Sequence, residues 1–430
     1  MLRVRRGTSR AILVNTVSHS VLDGPTPEFL HEIAALTTRE LWQAAAGDCV
    51  VTCAPCSPAF LDYVGSVLGL TFRGRADVDV VAPFEVRGVH ALDLAAELGI
   101  LDLITARAVL SPSILDRRLT SFARASDMPV LPYSTPPDET ALQAVRLLNS
   151  KINFRRIVQS LGLPIAAGGQ AATAAELVAK LSEFLQNRQS AIVKPDLSGG
   201  GWGSTVIHAD AAEPVAHQLT RALVGQPERC NGWVFEEFLP FDAVPSVQML
   251  VTDEGPSELF GGDQRVEDLS WAGMVTPAAD RPVQERLVKA AFMVGDWLHG
   301  YSYRGVFGLD CGLLGDSYVV TEANVRRTGA THVAELARRL GPPGGFGHWR
   351  CDTRRGRLDL SFETAVRRLD RAGLGDHNAP ARVILTTDAH IQEGVWRYAV
   401  LGQDGECVAE AEQQLHELLG IRPRSAAGSR

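Results

Sequence analysis

Apolar and polar positions change period repeatedly along the chain. Between about residues 10 and 135, β-rich runs (R-A-I-L-V-N-T-V, D-C-V-V-T-C, D-V-D-V-V-A-P) alternate with segments whose apolar residues recur every three or four positions. Two helical segments carry start signals: Thr26 precedes P-E-F-L-H-E-I-A-A-L, and Ser57-Pro58 precedes A-F-L-D-Y-V. In each, a hydroxyl can accept from a first-turn N–H, and the proline that follows has no N–H to leave unpaired. Strands alternating with helices predict a small parallel α/β layer. No Gly-rich turn follows its strands, so the layer lacks the dinucleotide-binding fingerprint.

The proline-rich stretch Leu131–Asp138 reads as a linker, with Asp138 opening a new amphipathic helix. The alternation resumes to about residue 345, where G-P-P-G-G-F-G makes a second break. Beyond it, V-I-L-T-T-D-A and W-R-Y-A-V-L-G predict strands, A-E-A-E-Q-Q-L-H-E-L-L-G predicts a helix, and the terminal R-S-A-A-G-S-R predicts disorder. The expected units are 1–137, 138–345 and 346–430.

Composition narrows the function classes. The 430 residues carry 42 Lys+Arg against 50 Asp+Glu, a net charge of −8, and are 45% hydrophobic. Such a chain can bury sizeable cores, and its diffuse acidity argues against nucleic acid or an anionic membrane as the main partner. No window approaches the roughly 18 apolar residues of a membrane span, and the apolar run after the basic N-terminus is too short for a secretory leader. Seven cysteines, an odd number, read as reduced thiols, so a cytoplasmic location is expected. Cys53-Ala-Pro-Cys56 follows a predicted strand, but no second C-x-x-C completes a zinc set, and both thiols are expected to be structural.

Candidate chemistry begins at Ala191–Ser204. A β-run ends at Lys194 and leads into a loop with Gly199, Gly200, Gly201 and Gly203, after which T-V-I-H resumes a strand. Little side-chain bulk and many free N–H groups suit such a loop to lie across phosphates, with Lys194 as fixed positive charge. It is not a Walker loop, since no G-K-[ST] closes it and no helix follows. Asn149–Pro164 predicts a helix with Lys151 at its start, where the helix dipole favours anions. In W-V-F-E-E-F-L-P, a strand carries Glu236 into Glu237, Phe238 and Leu239, a pattern able to contact a flat heterocycle.

A hairpin supplies the most specific geometry. R-G-V-F-G-L-D-C-G-L-L and Y-V-V-T-E-A-N-V-R-R are joined by Gly315–Ser317. Pairing Leu314 with Tyr318 puts Asp310 opposite Glu322 and Gly308 opposite Asn324. Period two then gathers Gly308, Asp310, Gly312, Glu322, Asn324 and Arg326 on one face. The core face would hold Leu309, Cys311, Leu313, Val319, Thr321, Ala323 and Val325. Two opposed carboxylates repel unless a cation lies between them, and with the Asn oxygen they suit Mg²⁺ or Mn²⁺. Arg326 is placed for an anionic reactant. A one-residue change of register would dissolve this set.

Four further features complete the candidates. Arg265, in G-G-D-Q-R-V-E-D, is either a cation for a substrate carboxylate or part of a surface ion pair, and His332 either faces a substrate or is a surface or core histidine. Trp202 would stack on a substrate or weight a lid, and Arg350, Arg354, Arg355 and Arg357 either attract a peptide carboxylate or acidic side chains or form a solvated basic face.

Lys151, Lys194 with its glycine loop, E-E-F-L, Asp310 and E-A-N-V-R occur in the order and approximate spacing of the ATP-grasp superfamily, which the chain resembles over about half its length. The resemblance implies an α/β fold in which two α+β subdomains clamp ATP, with a lid at roughly 155–240, behind an N-terminal parallel α/β pre-ATP-grasp domain. It implies Lys151 and Lys194 on the α and β phosphates, with Ser198, Gly199, Gly200, Gly201, Trp202, Gly203 and Ser204 closing over the triphosphate. Glu236, Glu237, Phe238 and Leu239 would border adenine, Asp310, Glu322 and Asn324 would hold Mg²⁺, and Arg326 would meet the γ-phosphate or an acyl-phosphate. The ribose contact stays open, since Asp242 is the sole acid in F-D-A-V-P-S-V-Q-M-L.

N-S-K-I-N-F-R-R, K-P-D-L-S-G-G-G-W-G-S and E-A-N-V-R-R-T-G-A-T-H resemble the superfamily's peptide ligases of antibiotic biosynthesis. That likeness implies ADP-forming coupling of an amino or guanidino acid to the N-terminal amine of a peptide, and homodimers are common in the superfamily. Two alternatives remain: a ligase for another acid–amine pair, and an ATP-binding module that acts through protein contacts. The intact polar set argues for an enzyme, and the lack of an evident biotin-carrier segment argues against a carboxylase.

Overall fold

The computed structural model describes residues 7–211, 213–223, 231–357, 359–388 and 394–422; Cys230 and the R-S-A-A-G-S-R tail lie outside the described residues. Four short strands, β1 (Arg10–Leu13), β2 (Cys49–Val51), β3 (Asp79–Val81) and β4 (Val109–Pro112), form a parallel sheet in the order β3-β2-β1-β4. Thr26 caps the helix Pro27–Ala35 and Ser57 caps Pro58–Leu68, each side chain accepting from an N–H three residues on.

A second sheet contains β5 (Gly168–Ala171), β6 (Ser190–Pro195), β7 (Thr205–His208) and β8 (Trp233–Glu237), all antiparallel in the order β5-β8-β6-β7. Its own small core includes Leu177, Leu181, Val193 and Phe235.

The remaining strands are β9 (Pro245–Thr252), β10 (Gly255–Glu267), β11 (Ser270–Thr276), β12 (Gly305–Leu314), β13 (Ser317–Asn324), β14 (His348–Arg355), β15 (Ala381–Leu385) and β16 (Val395–Gly402). They make one antiparallel sheet, β13-β12-β9-β10-β11-β14-β16-β15. The strands after Gly347 therefore continue the central sheet and do not form a layer of their own. The parallel sheet joins both ends of this assembly by period-two alternation. Ala11 and Leu13 pack in one core with Leu309, Cys311 and Ala323, while Ile12 and Val14 pack in another with Trp349, Val383 and Tyr398.

The β12–β13 hairpin keeps the predicted pairs Gly308–Asn324 and Asp310–Glu322, but the register then shifts, so that Cys311 pairs with Val320 and Leu314 with Ser317. The turn is thus Gly315-Asp316, one residue shorter than expected, and a β-bulge at Thr321 absorbs the difference. As a result Val320, only 1% exposed, takes the core position expected of Val319. Thr321 leaves the core face and stands on the cavity side beside Glu322.

Candidate active site

A cavity of about 1770 Å³ opens between the three sheets. Lys194, Gly199 to Trp202, Ser204, Glu236 to Leu239, Asp310, Glu322, Asn324, Arg326 and His332 line it. Lys151, Ser198, Gly203 and Arg265 do not line it directly. Among the described residues no helix is long and apolar enough to cross a membrane.

Lys151 stands just behind the wall. Its Nζ donates to the carbonyl and Oγ of Ser198, both at 3.1 Å, and lies 3.8 Å from Glu322 Oε2. Burial lowers its pKa, Lys194 and Arg326 adding to the effect while Glu322 opposes it. The helix Lys151–Ser160 does not offer its N-terminus to a ligand, as its position suggested. The Asp196 carboxylate accepts from the Ile152 N–H at 2.9 Å and from Ser150 Oγ at 2.8 Å, so the anion at this dipole belongs to the protein.

Lys194 donates to Glu236 Oε2 at 2.7 Å, and Arg155 pairs with the other oxygen. Burial alone would raise the Glu236 pKa, but the two cations hold it below the usual carboxylate value. Glu236 therefore fixes Lys194 from the strand above the cavity floor. Beside it, the Glu237 N–H donates to the Ala167 carbonyl and the Phe238 N–H to the Ser190 carbonyl, so neither amide is free for a heterocycle.

At the hairpin, Asp310 accepts from Ser246 and Asn324. Burial and then the Glu322 charge push its pKa up to about 7. Neither hydrogen-bond partner is a full cation, so the carboxylate pair suits a hard divalent ion. Among the described residues, no three His, Cys, Asp or Glu side chains cluster as a metal site, so the set is two carboxylates and an amide. Asn324 turns Nδ2, not its oxygen, to Asp310 at 2.9 Å, and a bound cation would exchange that contact for the amide oxygen. Arg326 is held by Asn149 Oδ1 at 3.0 Å, its pKa lowered by burial against the attraction of Glu322 and Asp310.

The glycine loop packs against the central sheet and the N-terminal layer. Gly200, Gly201 and Gly203 adopt φ of +63°, +86° and +73°, and a Cβ on Gly201 would collide with the Leu269 carbonyl. Trp202 stacks on Phe29 of the N-terminal layer, with centroids 4.8 Å apart. Asp23 adds two links to the lid, its N–H donating to the Leu197 carbonyl and its carboxylate accepting from the Asn231 N–H.

Two expectations are corrected, for Arg265 and for the arginines after Gly347, and Asp242, Cys53 and Cys56 are placed. Arg265 does not line the cavity; it is held in a network with Asp352 (2.9 Å), which does, and with Glu412 (2.5 and 2.8 Å). Asp242 accepts from the Gly315 N–H and so holds the hairpin turn. Arg350 and Arg354 are ion-paired with Glu412 and Glu267, and Arg354 is buried, whereas Arg355 and Arg357 are exposed, so the solvated face is limited to those two. Burial pushes the Cys53 and Cys56 thiols up to about 12, which leaves them inert.

The sequence does not single out Asn149, Arg155, Asp196, Arg39 or Arg397. Arg155 had a signal, since it lies four residues after Lys151 on one helix face. Asn149 and Asp196 meet Arg326 and Ile152 through contacts distant in sequence.

Residues 37–144 match the family model described as Pre ATP-grasp domain. No curated protein matches the chain by sequence. Among solved structures, N5-carboxyaminoimidazole ribonucleotide synthetase from Thermus thermophilus is 16% identical with a TM-score of 0.58, over 91% of this chain and 98% of that one. Carboxyaminoimidazole ribonucleotide synthase from Aspergillus clavatus, complexed with ATP, is 16% identical with a TM-score of 0.58, over 96% and 99%. Biotin carboxylase from Campylobacter jejuni is 14% identical with a TM-score of 0.62, over 96% and 92%.

Proposed function

The chain has the ATP-grasp fold with an N-terminal pre-ATP-grasp domain, and from that premise we propose that it is an ATP-dependent, ADP-forming carboxylate–amine ligase. The observation that supports this is the convergence of Lys194, Asp310, Glu322, Asn324 and Arg326 on one cavity beneath the glycine loop. Its volume of about 1770 Å³ exceeds the roughly 300–1,000 Å³ of a single small-molecule site, which leaves room for a nucleotide, an acid and an amine.

In this reading Lys194, and Lys151 through the loop base, neutralise the α and β phosphates, and the strand from Glu236 to Leu239 borders adenine. Asp310 and Glu322, with Asn324 through its oxygen, would hold Mg²⁺ or Mn²⁺, which when bound neutralises phosphate charge. The substrate carboxylate attacks the γ-phosphorus and ADP departs, leaving an acyl-phosphate. An amine then attacks that anhydride, giving an amide and inorganic phosphate. Arg326 meets the transferred phosphoryl group, and the loop held by Trp202 excludes water while the anhydride exists.

The motifs resemble those of the peptide ligase of pheganomycin biosynthesis, so the proposed donor is an amino or guanidino acid and the acceptor a peptide N-terminal amine. A cytoplasmic location and a homodimer accompany this reading. The test is coupled ADP release with Mg²⁺ and ATP, screening such acids against short peptides, with mass spectrometry of products. A product equal to donor plus acceptor minus water is expected. Saturable ATP binding without turnover for any pair would overturn the ligase in favour of a nucleotide-binding module.

A further inference from the structure

Resting on the ligase reading, we propose that Arg39, Arg397 and His332 form the subsite that binds the carboxylate of the acid substrate. The three come from distant parts of the chain: Arg39 from the 3₁₀ segment Leu36–Gln43, His332 from the helix Thr331–Leu340, and Arg397 from β16. All line the same cavity.

Two of them lack partners. Among the described residues, Arg397 Nη1 and both ring nitrogens of His332 are shielded from solvent and make no hydrogen bond, and His332 is only 4% exposed. Arg39 is barely better served, its Nε reaching Glu40 Oε1 at 3.4 Å. Buried polar nitrogens without acceptors are destabilising, and buried guanidinium groups more so. An anion between them would supply what the protein does not.

Charge balance points the same way. The Arg39 charge is felt at His332, Arg326 and Arg397. Neighbouring Arg327 is neutralised by Glu40 and Glu335, and Arg326 faces Glu322 and Asp310. For Arg397 the offsetting carboxylate is Glu32, which lies on an exposed helix position. Burial, and then the Arg39 charge, lower the Arg397 pKa to about 9, while burial followed by Arg39 and Arg327 keeps His332 neutral. Glu40 is shared between Arg39 and Arg327, and a planar carboxylate matches the guanidinium fork of Arg397.

The place distinguishes this anion from the nucleotide. The triphosphate has Lys151, Lys194 and the glycine loop, whereas Arg39 and Arg397 approach from the N-terminal layer and the far part of the central sheet. Val21, Leu22, Ile33 and Ile114 line the adjoining wall, which suits an acid with an apolar body. The cation that the sequence assigned to Arg265 is thus supplied from two other elements.

The test uses the full-length protein with phenylglyoxal, a small reagent that modifies arginines facing the cavity, and peptide mapping of the adducts. Hippurate and phenylacetate are the probes, with hippuramide and phenylacetamide as uncharged controls. The acids, and not the amides, are expected to slow modification of Arg397 and Arg39, with Mg²⁺-ATP giving no such protection. Equal effects of acid and amide, or no protection by either acid, would overturn the subsite whether or not the protein is a ligase. Where acid-dependent ADP release is found, Arg397→Gln is expected to raise KM for the acid by about tenfold or more, the worth of one charge-assisted hydrogen bond, with KM for ATP unchanged. An unchanged KM for the acid would also overturn it. Because Arg397 Nη1 makes no bond to lose, this variant is expected to fold, and a wild-type protein that shows acid protection but no ADP release would sink the ligase and spare the subsite.

Discussion

Asp310 stands directly opposite Glu322 on neighbouring strands, and the ladder shifts by one residue immediately after the pair. The shift puts the irregularity beside the carboxylates, where Thr321 joins Glu322 on the cavity wall. Replacing Glu322 by Ala is expected to lower ADP formation by about 100-fold or more, with circular dichroism and Tm near wild type. Chelation should abolish turnover, and added Mg²⁺ or Mn²⁺ should restore it. Near-normal turnover by the variant would remove Glu322 from the metal site.

Asp310 also sets a pH dependence. Its pKa is raised to about 7 from 3.8, so the unfolded chain gives up the proton more readily than the folded one. Metal-free protein should therefore lose stability as pH rises from about 4 to about 7, with Asp310 ionised and unfavourable above that window. Melting curves in chelator across this range should show the loss, and Asp310→Asn should flatten it. An unchanged pH profile for that variant would assign the dependence to another group.

Asp196 fills the N-terminus of the helix that begins at Lys151, and Asp196→Ala should cost about 1–2 kcal/mol of stability, the usual worth of a cap. KM for ATP should rise as well, because the lost carboxylate bonds hold the helix start that carries Lys151. Asp196→Asn, which keeps an acceptor oxygen, should recover part of both; equal damage from Asn and Ala would argue for charge rather than capping.

The stacked pair Phe29 and Trp202 joins lid to N-terminal layer. Phe29→Ala should weaken this contact by about 0.5–1.5 kcal/mol, read as a several-fold rise in KM for ATP and a change in tryptophan emission. If neither moves, the stack does not hold the loop, and the Asp23 bonds are the contacts to test next.

Arg265 separates structural from substrate cations. Arg265→Ala leaves the buried Asp352 and Glu412 without that partner, and a stability loss of about 3–5 kcal/mol is expected from chemical denaturation. Its KM for the acid should stay near wild type, in contrast to Arg397→Gln.

What the sequence disclosed follows sequence distance. Asp310, Glu322 and Asn324 were legible because one hairpin holds them and period two sorts its faces. The turn was misread by one residue, yet the bulge restored the pairing before the carboxylates. Arg265 was misassigned because its partner Glu412 is 147 residues away. Asp196 was silent for the same reason, being 44 residues from the N–H it caps. Arg39 and Arg397 have no shared local pattern and meet only when three layers assemble.

The order of the central sheet bears on how the chain matures during synthesis. β11, complete at Thr276, takes β14 as its neighbour, and β14 in turn waits for β16. The lid and the carboxylate hairpin can leave the ribosome well before β16, the strand bearing Arg397, is made. Until then the growing polypeptide carries an open sheet edge, which is prone to pairing with another chain. A stop codon before β16 would accordingly be expected to yield aggregated product rather than a smaller ATP-binding protein.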